Sequence, residues 1–361
     1  MAIGTSVEIS WTAHLAPQPS YDNYGMAEGK AKAVALLSGG LDSILAAALT
    51  LRLGFEVVGL SIVTGFETDR ARQEAVIASG RELGISIRLL EAGDDYLEVI
   101  KHPRFGYGSA VNPCLDCRIF MFRKAREFMQ EAGAEFVVTG EVLGQRPMTQ
   151  HYRALRLTAE ESGLGDRLVR PLSGRLLPAT YPEKRGWVRR EDWLDIQGRS
   201  RRRQLELARA WRLERYSQPA GGCLLTDKTY AARLRDLFRH RGADALRRED
   251  FQLLRLGRHF RISPGVKLVV GRNREENEQL AEFTRGRIVL EFPNVPGPTA
   301  LIEGAPTEAE LELAARIAAR YSDAAPGGSV VVEVTEEADT RTLKVTPLPT
   351  DSPKLKEMRI G

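Results

Sequence analysis

Residues 38–43 read Ser-Gly-Gly-Leu-Asp-Ser, between a predicted apolar strand (33–37) and a predicted helix beginning near Ser43. A glycine-rich turn at a helix N-terminus presents backbone N–H groups to phosphate oxygens. The glycines allow close approach because they carry no Cβ, and Asp42 could hold Mg²⁺ or orient the turn through backbone N–H groups. The alternative is an ordinary strand–turn–helix connection. We therefore predict a phosphate site at Ser38, Gly39, Gly40, Asp42 and Ser43.

The three cysteines all lie in loops that precede predicted helices. Cys114 and Cys117 form a Cys-x-x-Cys pair, and Cys223 ends the segment Pro-Ala-Gly-Gly-Cys. A thiol at a helix start can have a lowered pKa and can bind a metal. Three thiolates with no histidine beside them suit a [4Fe–4S] cluster with one open iron. Three alternatives remain: a persulfide resolved as a disulfide, a zinc site completed by water or a carboxylate, and three unrelated buried cysteines.

The composition predicts a globular protein of two or three domains. The chain has 361 residues, of which 43% are hydrophobic and 28% charged, and its net charge of +4 is compatible with a nucleic-acid partner. No apolar run reaches the length of a membrane span, and the first 25 residues do not resemble a secretory signal. Sparse, odd-numbered cysteines favour a reducing, cytoplasmic setting.

Short apolar strands alternate with helices from residue 32 onwards. We predict strands at 33–37, 57–63, 85–90 and 135–139, helices at 69–83 and 118–132, and largely helical structure over 189–215. This order predicts a doubly wound parallel sheet covered on both faces, an α/β fold. Residues 1–30 are predicted to be a tail, and residues 31–245 to form the domain that carries the three cysteines.

The C-terminal region is predicted to be a separate small α+β module within residues 255–350, and it is a candidate RNA-binding domain. Strands are expected at 266–271, 287–291, 299–303, 329–335 and 342–346, with helices at 274–283 and 307–321. Thr307 and Glu310 predict a capping box at the start of the second helix. The order β-α-β-β-α-β is typical of a ferredoxin-like or other two-layer module.

A second motif, Thr-Gly-Glu-Val-Leu-Gly-Gln at residues 139–145, follows the strand at 135–139. Together with the loop at 38–43 it resembles the PP-loop ATP pyrophosphatases, in the branch of the 4-thiouridine synthases and 2-thiouridylases of tRNA. The resemblance covers about residues 32–240. It implies that the loop binds pyrophosphate and Mg²⁺, that Gly140 and Gln145 line the nucleotide cleft, and that Asp42 is catalytic. It also implies that Cys114, Cys117 and Cys223 are catalytic ligands of a [4Fe–4S] cluster.

The resemblance further implies an ATP-dependent sulfurtransferase with tRNA as partner. A uridine carbonyl oxygen would be adenylated and then replaced by sulfur from sulfide or a cysteine desulfurase. The THUMP-type and rhodanese domains common in these enzymes are not found in this sequence, so another RNA contact and another sulfur route are expected. Two alternatives remain: sulfur transfer to or from a small-molecule cofactor, and an RNA-binding protein whose loop is inactive.

Six arginines cluster within fifteen residues, at positions 189, 190, 199, 201, 202 and 203. They predict a phosphate-contacting stripe for tRNA, particularly at 201–203, where local acids are not expected. The alternative is a solvated helical face with interleaved acidic partners. Trp187, Trp193 and Trp211 are predicted to lie in the core.

Overall fold

The chain divides into two units, one ending at Leu224 and the other comprising Leu225–Gly361. This computed structural model describes residues 6–9, 31–68, 71–217, 222–325 and 327–361. Among the helices within those ranges, none combines the length and apolar composition needed to cross a bilayer.

The first unit alternates strands and helices. Its strands are β1 (Ser6–Ile9), β2 (Lys32–Leu36), β3 (Glu56–Val63), β4 (Ile87–Glu91), β5 (Phe136–Thr139) and β6 (Leu168–Val169). Its helices are α1 (Leu41–Arg52), α2 (Ala71–Leu83), α3 (Asp94–Lys101), α4 (Cys114–Glu131), α5 (Tyr152–Glu161), α6 (Tyr181–Lys184) and α7 (Arg202–Ala210). The predicted start of α2 at Asp69 lies outside the described residues.

The six strands form one sheet in the order β1-β4-β3-β2-β5-β6. Every pair is parallel except β1 with β4. Alternate residues of β2 face opposite layers: Ala33 packs in a cluster with Ile44 of α1, and Val34 packs in a cluster with Phe122 of α4. The predicted doubly wound α/β fold is therefore confirmed.

Two segments of this unit differ from the sequence predictions. Residues 6–9, predicted as part of a tail, form an edge strand that pairs with β4. The predominantly helical structure expected over 189–215 is confined to a short turn at Arg190–Asp192 and to α7. Helix does not continue through the intervening segment because the Gly198 N–H bonds the Leu143 carbonyl at 2.7 Å and Gly198 has a φ of +82°.

The second unit is an α+β module. Its strands are β7 (Arg258–Ser263), β8 (Val266–Val270), β9 (Ile288–Glu291), β10 (Ala300–Glu303), β11 (Val330–Glu336), β12 (Asp339–Val345) and β13 (Arg359–Ile360). Its helices are α8 (Lys228–Arg241), α9 (Arg248–Leu253), α10 (Arg274–Leu280), α11 (Glu308–Ala319) and α12 (Pro353–Met358).

All pairs in its seven-stranded sheet, ordered β12-β11-β9-β10-β8-β7-β13, are antiparallel. The predicted order β-α-β-β-α-β runs along the chain from β8 to β11 within this larger sheet, so the α+β class is confirmed. Apolar residues of α11, including Leu311 and Ile317, pack with the sheet in one core. The Thr307–Glu310 capping box is present at the start of α11.

Helix α8 is part of the second unit, whereas the sequence predicted that residues up to 245 join the first domain. Side chains of α8 are bonded to the backbone that leads into the second sheet. The Tyr230 hydroxyl donates to the Phe251 carbonyl at 2.9 Å, and Arg233 donates to the carbonyls of Leu254 and Gly257. These buried hydrogen bonds explain why the compact units divide ahead of α8.

Candidate active site

The loop between β2 and α1 requires a glycine at position 39. Gly39 has a φ of +72°, and a Cβ there would lie 2.8 Å from the Arg72 carbonyl oxygen. The loop hydroxyls bond within the loop: Ser43 Oγ donates to the Gly40 carbonyl at 2.7 Å and lies 3.3 Å from Ser38 Oγ. The two serines therefore help to fix the shape of the loop. No side chain caps the N-terminus of α1, which begins with this loop.

Gly140, in the second motif, lies against the first turn of α1. A Cβ on Gly140 would lie 2.4 Å from both the Asp42 carbonyl carbon and the Ser43 nitrogen, and 2.5 Å from the Asp42 carbonyl oxygen. Backbone atoms cannot rotate away as a side-chain end can. Glycine at position 140 therefore allows the end of β5 to approach the phosphate loop.

Replacing Gly140 with alanine is expected to displace the first turn of α1. Overpacking of this kind costs about 1–3 kcal/mol of unfolding free energy, and ATP binding should weaken as the loop moves. Thermal unfolding and ATP titration measure the two effects. Gly265→Ala is the matched control, because no atom lies within 4 Å of its Cβ position. Equal melting temperatures and ATP affinities for the two variants would contradict the prediction.

Asp42 is held by the second motif. Its Oδ2 accepts a hydrogen bond from Gln145 Nε2 at 3.0 Å and lies 3.8 Å from a guanidinium nitrogen of Arg201. Its Oδ1 is buried and has no hydrogen-bond partner among the described residues. A buried carboxylate oxygen without a partner is costly, so this oxygen is available for a ligand such as a cation.

Three guanidinium groups, those of Arg72, Arg118 and Arg201, lie near that of Arg146, and we call the four the arginine cluster. Desolvation, followed by the positive charges of Arg118, Arg72 and Arg201, lowers the pKa of Arg146, and Asp42 partly offsets this effect. The side chain of Arg146 nevertheless reaches solvent. Like charges so close to one another repel, and a polyanion bound beside the phosphate loop would relieve that repulsion.

Glu141 fixes part of this cluster. It is 2% exposed, pairs with Arg170 at 2.9 Å and lies 3.4 Å from Arg118 Nε. Arg170 in turn donates to the Leu155 carbonyl. The second motif thus contacts Asp42 through Gln145 and positions Arg118 through Glu141.

Cys114 and Cys117 occupy the first turn of α4, so the prediction that they lie in a loop before the helix is wrong: the helix begins directly after Pro113. Asn112 Nδ2 donates to Cys114 Sγ at 3.0 Å, and the buried Tyr96 hydroxyl donates to Cys117 Sγ at 3.2 Å. Burial raises the pKa of Cys117, while the Tyr96 hydrogen bond and the charge of Arg118 oppose that rise. At neutral pH the thiol of Cys117 is therefore protonated in the absence of a cation.

The loop that carries Cys223 reaches the same region. The Leu224 N–H donates to the Phe66 carbonyl at 2.9 Å, and Cys223 forms an antiparallel bridge with Glu67. Desolvation raises the pKa of Tyr96 well above its usual value. Nearby Cys117, Cys223 and Glu67 raise this pKa further, by smaller amounts. Tyr96 is therefore an electrostatic neighbour of Cys117 in α4 and of Cys223.

The donor chemistry suits a sulfur-bound metal group, since Cys117 and Cys223 lie near Tyr96 and Cys114 lies near Cys117, and all three cysteines are reduced. As arranged, however, the described residues include no group of three or more His, Cys, Asp or Glu side chains placed to hold a metal ion. Occupation by a cluster would thus require the cysteine side chains to turn and Cys117 to lose its proton.

The predicted basic stripe does not act as one surface. The expectation that residues 201–203 lack local acids is wrong: Arg202 bonds Glu206 at 3.0 Å, and Arg203 bonds Asp195. Arg201 instead points to Asp42. Trp193 is fully buried and Trp187 and Trp211 pack partly buried against the same core, as predicted.

Sequence reasoning missed several residues of this site: Glu67, Arg72, Tyr96, Arg118, Glu141 and Arg146. Glu141 lies inside the second motif and Arg146 directly follows it, so both could have been identified there. Tyr96 and Arg72 belong to helices without a motif, and only the tertiary structure brings them to the site.

Comparison with known proteins divides the chain as the structure does. A family model described as "Thiamine biosynthesis protein (ThiI)" matches residues 28–175, and one described as "NFACT protein RNA binding domain" matches residues 257–355. These matches support the predicted resemblance to PP-loop proteins in the first unit. The second match is to an RNA-binding family, the kind of module that the sequence resemblance had suggested for this region.

Curated relatives match the first unit. A "tRNA-specific 2-thiouridylase MnmA" of Azorhizobium caulinodans is 28% identical over 158 residues, covering 40% of this chain and 40% of the relative. A "Probable tRNA sulfurtransferase" of Halobacterium salinarum is 34% identical over 120 residues, which cover 31% of this chain and 29% of the relative. A solved 4-thiouridine synthetase–RNA complex with bound ATP is 29% identical and has a TM-score of 0.34. The match covers 40% of this chain and 37% of that protein.

The chain spans about two fifths or less of the length of these relatives. Their names nevertheless agree on the branch: the predicted resemblance to the tRNA thiolation branch of the PP-loop enzymes is confirmed for the N-terminal part of the chain.

Proposed function

We propose that this chain, which resembles the tRNA thiolation branch of the PP-loop enzymes over residues 28–175, is an ATP-dependent tRNA sulfurtransferase of the cytoplasm. The observation that carries the proposal is the arginine cluster beside the phosphate loop, together with the unpartnered Oδ1 of Asp42. A cationic cleft with one poised carboxylate suits a triphosphate and its cation.

A uridine carbonyl is a poor electrophile, so its oxygen must first become part of a good leaving group. The carbonyl oxygen attacks the α-phosphorus of ATP, the bond to the β-phosphate breaks, and pyrophosphate leaves. Charge develops on that pyrophosphate, and the guanidiniums of the arginine cluster are placed to stabilise it. Mg²⁺ held by Asp42 would supply further charge neutralisation when bound.

Sulfur then replaces the activated oxygen. A sulfide nucleophile attacks the ring carbon, and AMP departs with the former carbonyl oxygen, so the exchange needs no oxidant or reductant. A [4Fe–4S] cluster on Cys114, Cys117 and Cys223 would supply an open iron site for sulfide when bound.

The proposal is tested with the full chain under anaerobic conditions, using tRNA, ATP, Mg²⁺ and sulfide. We expect pyrophosphate and AMP to form in equal amounts, each matching the thiouridine detected by mass spectrometry after nuclease digestion. ATP with a methylene bridge between the α- and β-phosphates is the control, because it cannot release pyrophosphate.

Two outcomes would contradict the proposal in different ways. Pyrophosphate release that ignores tRNA but responds to a small sulfur acceptor would show that the acceptor is wrong. Absence of any substrate-stimulated pyrophosphate release would show that the adenylation step is wrong and that the phosphate loop is inactive.

A further inference from the structure

A polar cavity of about 350 Å³ lies within the second unit, apart from the residues of the phosphate loop. Its lining includes the end of α8, the start of α9 and the turns before β8, before β9 and after β10. The charged lining residues are Arg241, Glu249, Asp250, Arg261, Lys267, Arg285, Arg287 and Glu303. Nothing in the proposed thiolation chemistry uses this cavity.

Lys267 is the unusual residue of this cavity. It is 1% exposed, and its ammonium group lies 3.8 Å from Glu303 Oε2, too far for a hydrogen bond. The described residues offer its ammonium no hydrogen-bond acceptor. A buried ammonium without hydrogen bonds is costly, so the long ion pair with Glu303 leaves this cation able to bind a closer anion.

The carboxylates of the cavity are already paired with guanidiniums. Glu303 accepts hydrogen bonds from Arg287 at 2.9 and 3.0 Å, and Asp250 accepts from Arg241 at 2.5 and 3.3 Å. Asp236 is similarly paired with the lining residue Arg261. The carboxylate close to Lys267 is therefore neutralised by another side chain.

Arg285 adds a second uncommitted cation at the rim. Its side chain is exposed and forms no ion pair with a described residue, and it precedes Gly286, whose φ is +68°. Among the charged lining residues, Glu249 is the remaining acid without a described ion pair, and it is exposed. The uncommitted charges therefore sum to one positive charge: two cations and one exposed carboxylate.

We propose that this cavity is a second anion site, which binds a phosphate group between Lys267 and Arg285. An ammonium and a guanidinium bind phosphate oxygens by charge-assisted hydrogen bonds. The phosphate could belong to RNA or to a small phosphorylated molecule. We favour RNA because residues 257–355 match an RNA-binding family, and this choice of source rests on the proposed function.

The test uses the full chain with a fluorescent single-stranded RNA of about ten nucleotides, and separately with inorganic phosphate in titration calorimetry. Lys267→Met keeps the apolar stem and removes the charge, and thermal unfolding checks its fold. Arg285→Ala changes an exposed side chain and should fold normally. Arg274→Ala is the matched control, since Arg274 is exposed in the same unit and pairs with Glu278.

We expect about a tenfold loss of RNA affinity for Lys267→Met and a smaller loss for Arg285→Ala, as one charged contact disappears in each. Each should also reduce the slope of log K against log salt by about one. Arg274→Ala should match the unmodified chain. If RNA binding is unaffected but phosphate binding depends on Lys267, the cavity is an anion site whose ligand is a small phosphorylated molecule.

The proposed anion site is excluded if Lys267→Met and Arg285→Ala both fold and both bind RNA and phosphate as tightly as the unmodified chain does. ATP binding at the phosphate loop should stay unchanged in both variants, so a failure here leaves the thiolation proposal intact. Conversely, a protein that fails to thiolate tRNA can still show Lys267-dependent phosphate binding.

The pH dependence gives an independent readout. Burial lowers the pKa of Lys267 to about 8, opposed by Glu303 and Asp236 and assisted by Arg261 and Arg233. The adjacent His259 stays neutral because burial holds its pKa well below the usual range. RNA affinity should therefore fall as pH rises from 7 to 9, because phosphodiesters do not titrate in that range, and this dependence should be lost in Lys267→Met. A pH-independent affinity in the unmodified chain would exclude the Lys267 ammonium as the binding group.

Discussion

Replacing Asp42 with asparagine is expected to lower tRNA-dependent pyrophosphate release by about a hundredfold or more, with little change in the folded structure. The asparagine oxygen can still accept the bond from Gln145, so the geometry of the loop is retained. The variant loses the anionic oxygen that is buried without a partner, and with it the cation that this oxygen would hold.

The same variant separates binding from turnover. Removing a negative charge from the arginine cluster leaves the cleft more positive, so ATP without Mg²⁺ should bind at least as tightly as before. Asp166→Asn is the control, because Asp166 lies on the surface and pairs with Lys184. Normal turnover in Asp42→Asn would remove Asp42 from the mechanism, and weakened Mg²⁺-free ATP binding would mean that the loop itself is disturbed.

Each of the single changes Cys114→Ala, Cys117→Ala and Cys223→Ala is expected to abolish tRNA thiolation while sparing ATP binding. If the three thiols jointly hold a [4Fe–4S] cluster, loss of any one destroys the site. Protein purified without oxygen should then be brown and contain about four irons per chain. Visible spectroscopy with iron and sulfide analysis measures this, and each variant should be colourless.

Ser79→Ala is the control for the cysteine variants, since Ser79 is a buried residue of α2 outside both cysteine loops. The cluster is excluded if iron-free protein carrying a persulfide on one cysteine thiolates tRNA at the full rate. A requirement for two of the cysteines alone would favour disulfide chemistry instead.

The phosphate loop could be predicted because its chemistry is local. Residues 38–43 are consecutive, and their position between a strand and a helix follows from hydrophobic periodicity. The arginine cluster could not be predicted in the same way. Its members come from α2, from α4, from the segment after the second motif and from the residue before α7, and only the parallel sheet brings these segments to one edge.

The basic stripe shows a different limit. Its charge pattern was visible, but its partners depend on helix phase and on loop path. Arg202 and Glu206 are four residues apart and face each other once α7 forms, which the spacing alone could have indicated. Arg203 meets Asp195 across a non-helical segment. The prediction of largely helical structure over 189–215 gave no indication of that second contact.

The attachment of Ser217 to the phosphate loop restricts how far sulfur can lie from ATP. The Ser217 N–H donates to the Gly39 carbonyl at 2.7 Å, and Cys223 follows only six residues later. A fully extended chain covers at most about 3.6 Å per residue. The Cα atoms of Ser217 and Cys223 therefore lie within roughly 22 Å of each other. The hydrogen bond between Ser217 and Gly39 thus limits the distance between the phosphate loop and Cys223. If ATP binding changes the affinity of Cys223 for a bound group, that group must change the affinity for ATP by the same factor.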